Sequence, residues 1–145
     1  MQNLYNLVYR VEEREMIPLC RSDGIALTPY YPNERGFLAG NTKLDGATLR
    51  GTTDKMTKVM RLGVDDEDMV IADRVEQVAK KLGVARATVA LAWMLGKPGI
   101  TAPIVGATKM MHLDDAMKAL DITLDAETVK FLEEPYRVKP VAGHE

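Results

Sequence analysis

The stretch Ile100 to Lys109, ITAPIVGATK, runs from apolar residues without an acid into a glycine, an alanine, a hydroxyl and a cation. It reads as a buried strand that ends in a turn, with HLDDA, from His112, opening the next helix. In α/β proteins, ligands gather beyond the carboxyl ends of parallel strands, and a helix start offers unpaired N–H groups to an anion. Gly106 permits close backbone approach, Thr108 offers a hydroxyl and Lys109 a point charge. The same residues equally suit an ordinary strand-to-helix turn with a solvated lysine, and the short motif leaves both readings open.

A second group sits in TPYYPNERG, where Tyr30 offers an aromatic face to a planar ligand and Arg35 could meet an anion. The plainer alternative packs Tyr30 on the core and leaves Arg35 in water. Cys20, among apolar residues, reads as a buried structural thiol. Trp93 and the methionine-rich helices read as core. The acids of DDED, 65–68, suit the positive end of a helix better than a metal, and His112 is simplest as a first-turn helix residue.

The elements that must position these groups follow from punctuation and periodicity. QNLYNLVY and IALTPY are rich in strand formers, and EEREMIPLCRSDG between them is a short helix, with acids early, Arg21 late and Gly24 after its end. Pro18 kinks that helix or places its true start nearer Ile17. Residues 31–64 form a long loop with one helical turn near Asp54–Met60, a length that usually serves function. In DDEDMVIADRVEQVAKKLG, residues Ile71, Val75, Val78, Ala79 and Leu82 share one helical face, and Gly83 closes the helix. ARATVALAWMLGKPG is the next helix, stopped by Gly96 and Pro98. ITAPIVGA is apolar on both faces, as expected of a parallel strand covered by helices. HLDDAMKAL and DAETVKFLEEP close the order as helices, with Asp125 as an N-cap. Strands alternating with helices imply an α/β fold with parallel pairing and right-handed crossovers. Three strands leave both sheet edges in want of cover, so this looks like part of a larger α/β object.

The 145 residues suit one domain. A formal net charge of −2 supplies no basic field for nucleic acid or an anionic membrane, so any anion site is local. Cys20 has no cysteine partner, and it forms no metal-ligand spacing with His112 or His144. MQNLYNLVYR lacks the charged and apolar parts of a signal peptide, and no apolar run reaches the ~20 residues of a membrane span. The expectation is a cytoplasmic protein.

The motifs together resemble the aldo-keto reductases. QNLYNLVYRVEEREM is similar to the sixth strand and helix of that family, and GIALTPYYPNERGFLAG to its seventh strand and following loop. VALAWMLGKPGITAPIVGATKMMHLDDA is similar to its seventh helix, eighth strand and phosphate-binding loop. LEEPYRVKPVAGHE resembles the tail of the bacterial branch related to potassium-channel β subunits. The resemblance implies that residues 1–145 are a single partial domain, about three βα units at the C-terminal end of a (β/α)8 TIM barrel. The implied cofactor is NADPH. Gln2 then matches the glutamine that holds the nicotinamide carboxamide, and Tyr30 the tyrosine that stacks on the ring. Gly106, Ala107, Thr108 and Lys109 match the loop for the adenosine 2′-phosphate. His112 and Asp115 match positions that reach the adenine or its ribose.

Departures qualify the match. Tyr31, Pro32 and Asn33, with Glu34 beyond, stand where the family has Ser-Pro-Leu, so bulk and a carboxylate oppose the pyrophosphate. Ala116 replaces an adenine-contacting asparagine, a loss of roughly 0.5–1.5 kcal/mol. The family's catalytic Asp, Tyr, Lys and His belong to the first four strands and match nothing here. Losing the general acid costs about 10²–10⁴-fold, so the chain alone is expected to be inactive. Two functions are therefore expected: the NADPH-holding part of a carbonyl reductase, or a non-catalytic module that assembles with itself or with a complementary barrel half.

Overall fold

Three extended stretches of backbone run side by side, in parallel and in sequence order. In the first pair, Thr28 donates to the Met1 carbonyl at 2.8 Å, Tyr30 donates to the Asn3 carbonyl at 2.9 Å, and Leu4 bridges Tyr30. In the second pair, Leu27 bridges Ile100 and Ile104 donates to the Pro29 carbonyl at 2.8 Å. These contacts come from a computed structural model that describes residues 1–41 and 65–141. The helical turn expected near Asp54–Met60, and most of the 31–64 loop, fall outside the described residues.

Within the described residues the pairing consists of isolated bridges, not continuous strands. The reason is local chemistry. Pro29 and Pro103 have no N–H to donate, so each interrupts a ladder. The Leu27 carbonyl accepts from both Thr101 and Ala102, at 2.9 and 3.3 Å, the mark of a one-residue bulge. The first stretch is also shorter than QNLYNLVY suggests. Asn6 and Tyr9 exchange backbone hydrogen bonds at 3.1 Å in a tight turn, which ends the extended run at Tyr5.

The described residues include five α-helices. α1 is Met16–Ser22. α2, Asp66–Leu82, begins where Asp65 accepts from the Asp68 N–H at 2.9 Å, and it ends at Gly83, whose φ of +67° turns the chain out. α3, Arg86–Leu95, is buried from Thr88 to Met94. It contacts α2 and α4, Met110–Lys118, while α5, Ala126–Glu133, packs on α2. Asp125 caps α5 by accepting from the Thr128 N–H at 2.7 Å, as expected. Cys20 is buried, as its apolar neighbours imply. No described helix is long and apolar enough to cross a membrane.

The core gathers Tyr5, Leu7, Leu27, Ile71, Val75, Val89, Trp93 and Met94. Its polar hinge is Glu133, which accepts from Trp93 Nε1 at 2.7 Å and pairs with Arg10 at 3.0 Å and with Lys97. The Tyr5 ring stacks on Trp93 at 5.3 Å, and its hydroxyl donates to Glu13 at 2.6 Å. One carboxylate thus joins Arg10, just past the turn that ends the first stretch, to the end of α3 and the end of α5.

Two expectations need correction. ITAPIVGA is not covered on both faces: Ile100 reaches the core, but Ile104 and Val105 are 42% and 43% exposed. Nor are all the methionine-rich helices core. Met94 is buried, whereas Met110, Met111 and Met117 of α4 face solvent.

Burial raises the Glu133 carboxyl, but hydrogen bonds from Lys97 and Trp93 and the Arg10 charge outweigh it, holding the group below its ordinary 4.5. A depressed carboxylate contributes stability above its unfolded pKa and loses it as pH falls through the folded one. Glu133→Gln should therefore cost about 1–3 kcal/mol at pH 7 in urea unfolding. The gap to the unaltered chain should shrink below about pH 4.5; a gap independent of pH would contradict the ionic role. Thr88, fully buried, donates its hydroxyl to the Asp115 carbonyl at 2.9 Å and ties α4 to α3. Thr88→Val should cost about 1–2 kcal/mol by the same assay.

Candidate functional site

The parallel register brings the ends of the three stretches out at one edge. Tyr30 closes the second stretch beside Leu4, and Gly106 lies two residues past Ile104, whose N–H binds Pro29. Gln2 is exposed, on the stretch that pairs with Thr28 and Tyr30. Tyr30 is half-buried, and its ring meets the edge of Tyr31 at 4.9 Å and 80°. Burial, then the neighbouring Tyr31, holds the Tyr30 phenol above its ordinary value, so it presents a neutral ring.

The loop after Tyr30 is strained. Tyr31, Glu34 and Arg35 have φ of +56°, +41° and +53°, a region that residues bearing a Cβ seldom enter. Arg35 donates to the Tyr31 hydroxyl at 2.8 Å and lies 4.6 Å over that ring. The guanidinium is thus fixed beside the aromatic pair. Such strain persists only where surrounding bonds over-determine it. Here Asn6 supplies two of them, donating to the Tyr31 carbonyl at 3.0 Å and to Glu34 at 2.7 Å. Sequence reading missed Asn6, whose partners lie on a loop more than 20 residues away; the one available signal was an asparagine at the end of a strand-like run.

The second group of predicted residues forms the start of α4. Gly106, Ala107, Thr108 and Lys109 are all exposed. Lys109 occupies the N-cap position in an extended conformation, no side chain caps the helix, and its first turn carries no acid. The N–H groups of that turn and the Lys109 charge therefore meet solvent together, an arrangement suited to an anion. His112 Nδ1 stands 3.4 Å from both the N–H and the hydroxyl of Thr108, folding the imidazole back over the turn. Asp115 is half-buried, one turn on, with its carboxylate 3.9 Å from Lys118. Gln2 thus lies on the stretch that pairs with Tyr30, Arg35 sits on the Tyr31 ring that meets Tyr30, and Gly106 to Lys109 with His112 form the start of α4. Among the described residues no group of His, Cys, Asp and Glu is placed to hold a metal ion.

Comparison with known proteins identifies the family. The Aldo/keto reductase family matches residues 1–137. A Schizosaccharomyces pombe protein named for aryl-alcohol dehydrogenase is 43% identical over 143 residues, which cover 99% of this chain and 40% of that protein. The versiconal hemiacetal acetate reductase of Aspergillus parasiticus is 41% identical over 142 residues, covering 97% of this chain and 41% of its own. The thermostable aldo-keto reductase Tm1743, solved with the inhibitor epalrestat, superposes with a TM-score of 0.65 at 25% identity, over 92% of this chain and 38% of its own. The chain therefore spans about two-fifths of the length of these relatives. With a match that runs from its first residue nearly to its last, the chain belongs to the aldo-keto reductase family.

Proposed function

We propose that this chain is the nucleotide-holding part of a carbonyl reductase, about three βα units at the C-terminal end of a (β/α)8 barrel, and that its nucleotide is NADPH. The observation that carries this reading is the exposed, basic and acid-free start of α4, where backbone donors and Lys109 converge on one patch. That donor set fits a phosphate. The exposed Gln2 amide and the half-buried Tyr30 ring fit a planar carboxamide-bearing ring at the other end.

NADPH, once bound, supplies the hydride that reduces an aldehyde or ketone; the residues here bind and orient its ends. Gln2 takes the carboxamide and Tyr30 the face of the nicotinamide. Arg35, held by Tyr31, would meet the phosphates of the bridge. Gly106, Ala107, Thr108 and Lys109 take the 2′-phosphate, and His112 and Asp115 the adenosine side. Proton transfer to the carbonyl oxygen is assigned to no residue here and falls to the part of a full-length relative that this chain does not match. The lone, buried Cys20 accords with a cytoplasmic setting.

Calorimetric titration tests this reading. NADPH should bind saturably and more tightly than NADH. Lys109→Ala should weaken NADPH by about tenfold and leave NADH nearly unchanged, because a charged hydrogen bond to the extra phosphate is lost. Absence of NADPH binding, or equal losses for the two nucleotides, would overturn it.

A second reading, assembly with another polypeptide, is favoured by a separate observation. Met110, Leu113, Met117 and Leu120 recur at helical spacing and are 47–72% exposed, beside the open Ile104 and Val105. The Asn3 side chain is buried, with neither amide atom hydrogen-bonded. A surface of this kind usually takes a partner. Sedimentation should show self-association of the purified chain, and a monodisperse, cooperatively melting monomer would contradict it.

A further inference from the structure

Asn6 is fully buried, and none of the cofactor contacts proposed above uses it. Its side chain works in two directions. Oδ1 accepts the N–H groups of Val8 and Tyr9 at 3.0 and 2.9 Å, closing the turn that ends the first stretch. Nδ2 crosses to the loop after the second stretch and donates to the Tyr31 carbonyl and the Glu34 carboxylate. The residues it catches are two of the three described non-glycine residues that sit in the left-handed region. The Tyr31 carbonyl also accepts the Glu34 N–H at 2.9 Å, so Asn6 completes a small closed network around the bend.

The network has two consequences for a ligand at this edge. It fixes the direction of Tyr31, and with it the edge contact to the Tyr30 ring. It also draws Glu34 onto a buried amide, so that an acid next to a phosphate path faces the protein. The bulk and charge at Tyr31 to Glu34 looked hostile to a diphosphate; the fold turns the charge inward.

We infer that Asn6 is a positioning residue of the nucleotide site, which holds the Glu34 carboxylate away from the bound phosphates and fixes the Tyr30–Tyr31 pair. The inference rests on the NADPH reading above. Its test is a cycle of Asn6→Ala, Glu34→Ala and the double variant, each titrated with NADPH and melted thermally. Asn6→Ala should bind NADPH about tenfold more weakly, the scale of one charged hydrogen bond gained or lost. Glu34→Ala should bind at least as tightly as the unaltered chain. The double variant should regain most of the lost affinity while its melting temperature stays low, because the turn at Val8 and Tyr9 is still unsupported.

Equal affinity losses in Asn6→Ala and the double variant would make the role purely structural and overturn the inference, as would an Asn6→Ala chain that binds normally. If Asn6→Ala does not fold, Asn6→Asp keeps the acceptor for the turn but removes the donor. It should lose affinity to the same extent and recover it with Glu34→Gln, whose amide can donate back; no recovery overturns the inference. An unaltered chain that takes up no NADPH overturns the nucleotide reading and this inference together, a result distinct from any of these.

Discussion

A backbone N–H taken out of water must find an acceptor, and in this chain four such groups decide where the chemistry sits. Thr28 and Tyr30 reach back to Met1 and Asn3, while Thr101 and Ile104 reach to Leu27 and Pro29. All four bonds join stretches that run the same way. Their carboxyl ends therefore emerge at one edge, and with them the loop from Tyr31 and the turn from Gly106. Side-chain packing reinforces the arrangement without choosing it. Glu133 gathers Trp93, Arg10 and Lys97 on the helix side, clamping the segment just after the first stretch to α3 and α5. That clamp uses Arg10, Lys97 and Glu133 for stability, whereas Lys109 remains exposed where an anion could reach it.

The two ends of the candidate site are built differently. At α4 the fold leaves donors open: a helix start without an acid or a side-chain cap. At Tyr31 it does the reverse, bending three residues into the left-handed region and closing the bend with a buried amide. An open, basic end suits a group held mainly by charge. A rigid end suits an aromatic ring whose angle matters. Preorganisation of this kind lowers the cost of ordering a ligand, provided the loop is held before the ligand arrives.

Much of this was legible in the sequence where the signal is local. Asp65, Gly83 and Asp125 marked helix ends that the structure places there, because capping depends on residues a few positions apart. The GATK turn, Tyr30 and Arg35 stood out as candidates because glycine, hydroxyl, ring and charge declare their chemistry by type. Less legible was whatever depends on distant partners. The apolarity of ITAPIVGA could not reveal that Ile104 and Val105 stay exposed. The exposed methionines of α4 read as core because periodicity reports a face, not what covers it. Asn6 was invisible because its acceptors lie 25 and 28 residues on. Pro29 and Pro103 also break the hydrogen-bonding ladder that strand formers alone would predict.

The central claim is that both ends of one nucleotide rest on the edge defined by these three stretches. Amide chemical-shift mapping by NMR with added NADPH tests it most directly. The account predicts shifts concentrated at Gln2, at Tyr30 to Arg35 and at Gly106 to His112, with the Trp93 and Glu133 side of the fold unmoved. Shifts centred on α5 and the C-terminal residues, or none at saturating nucleotide, would contradict it.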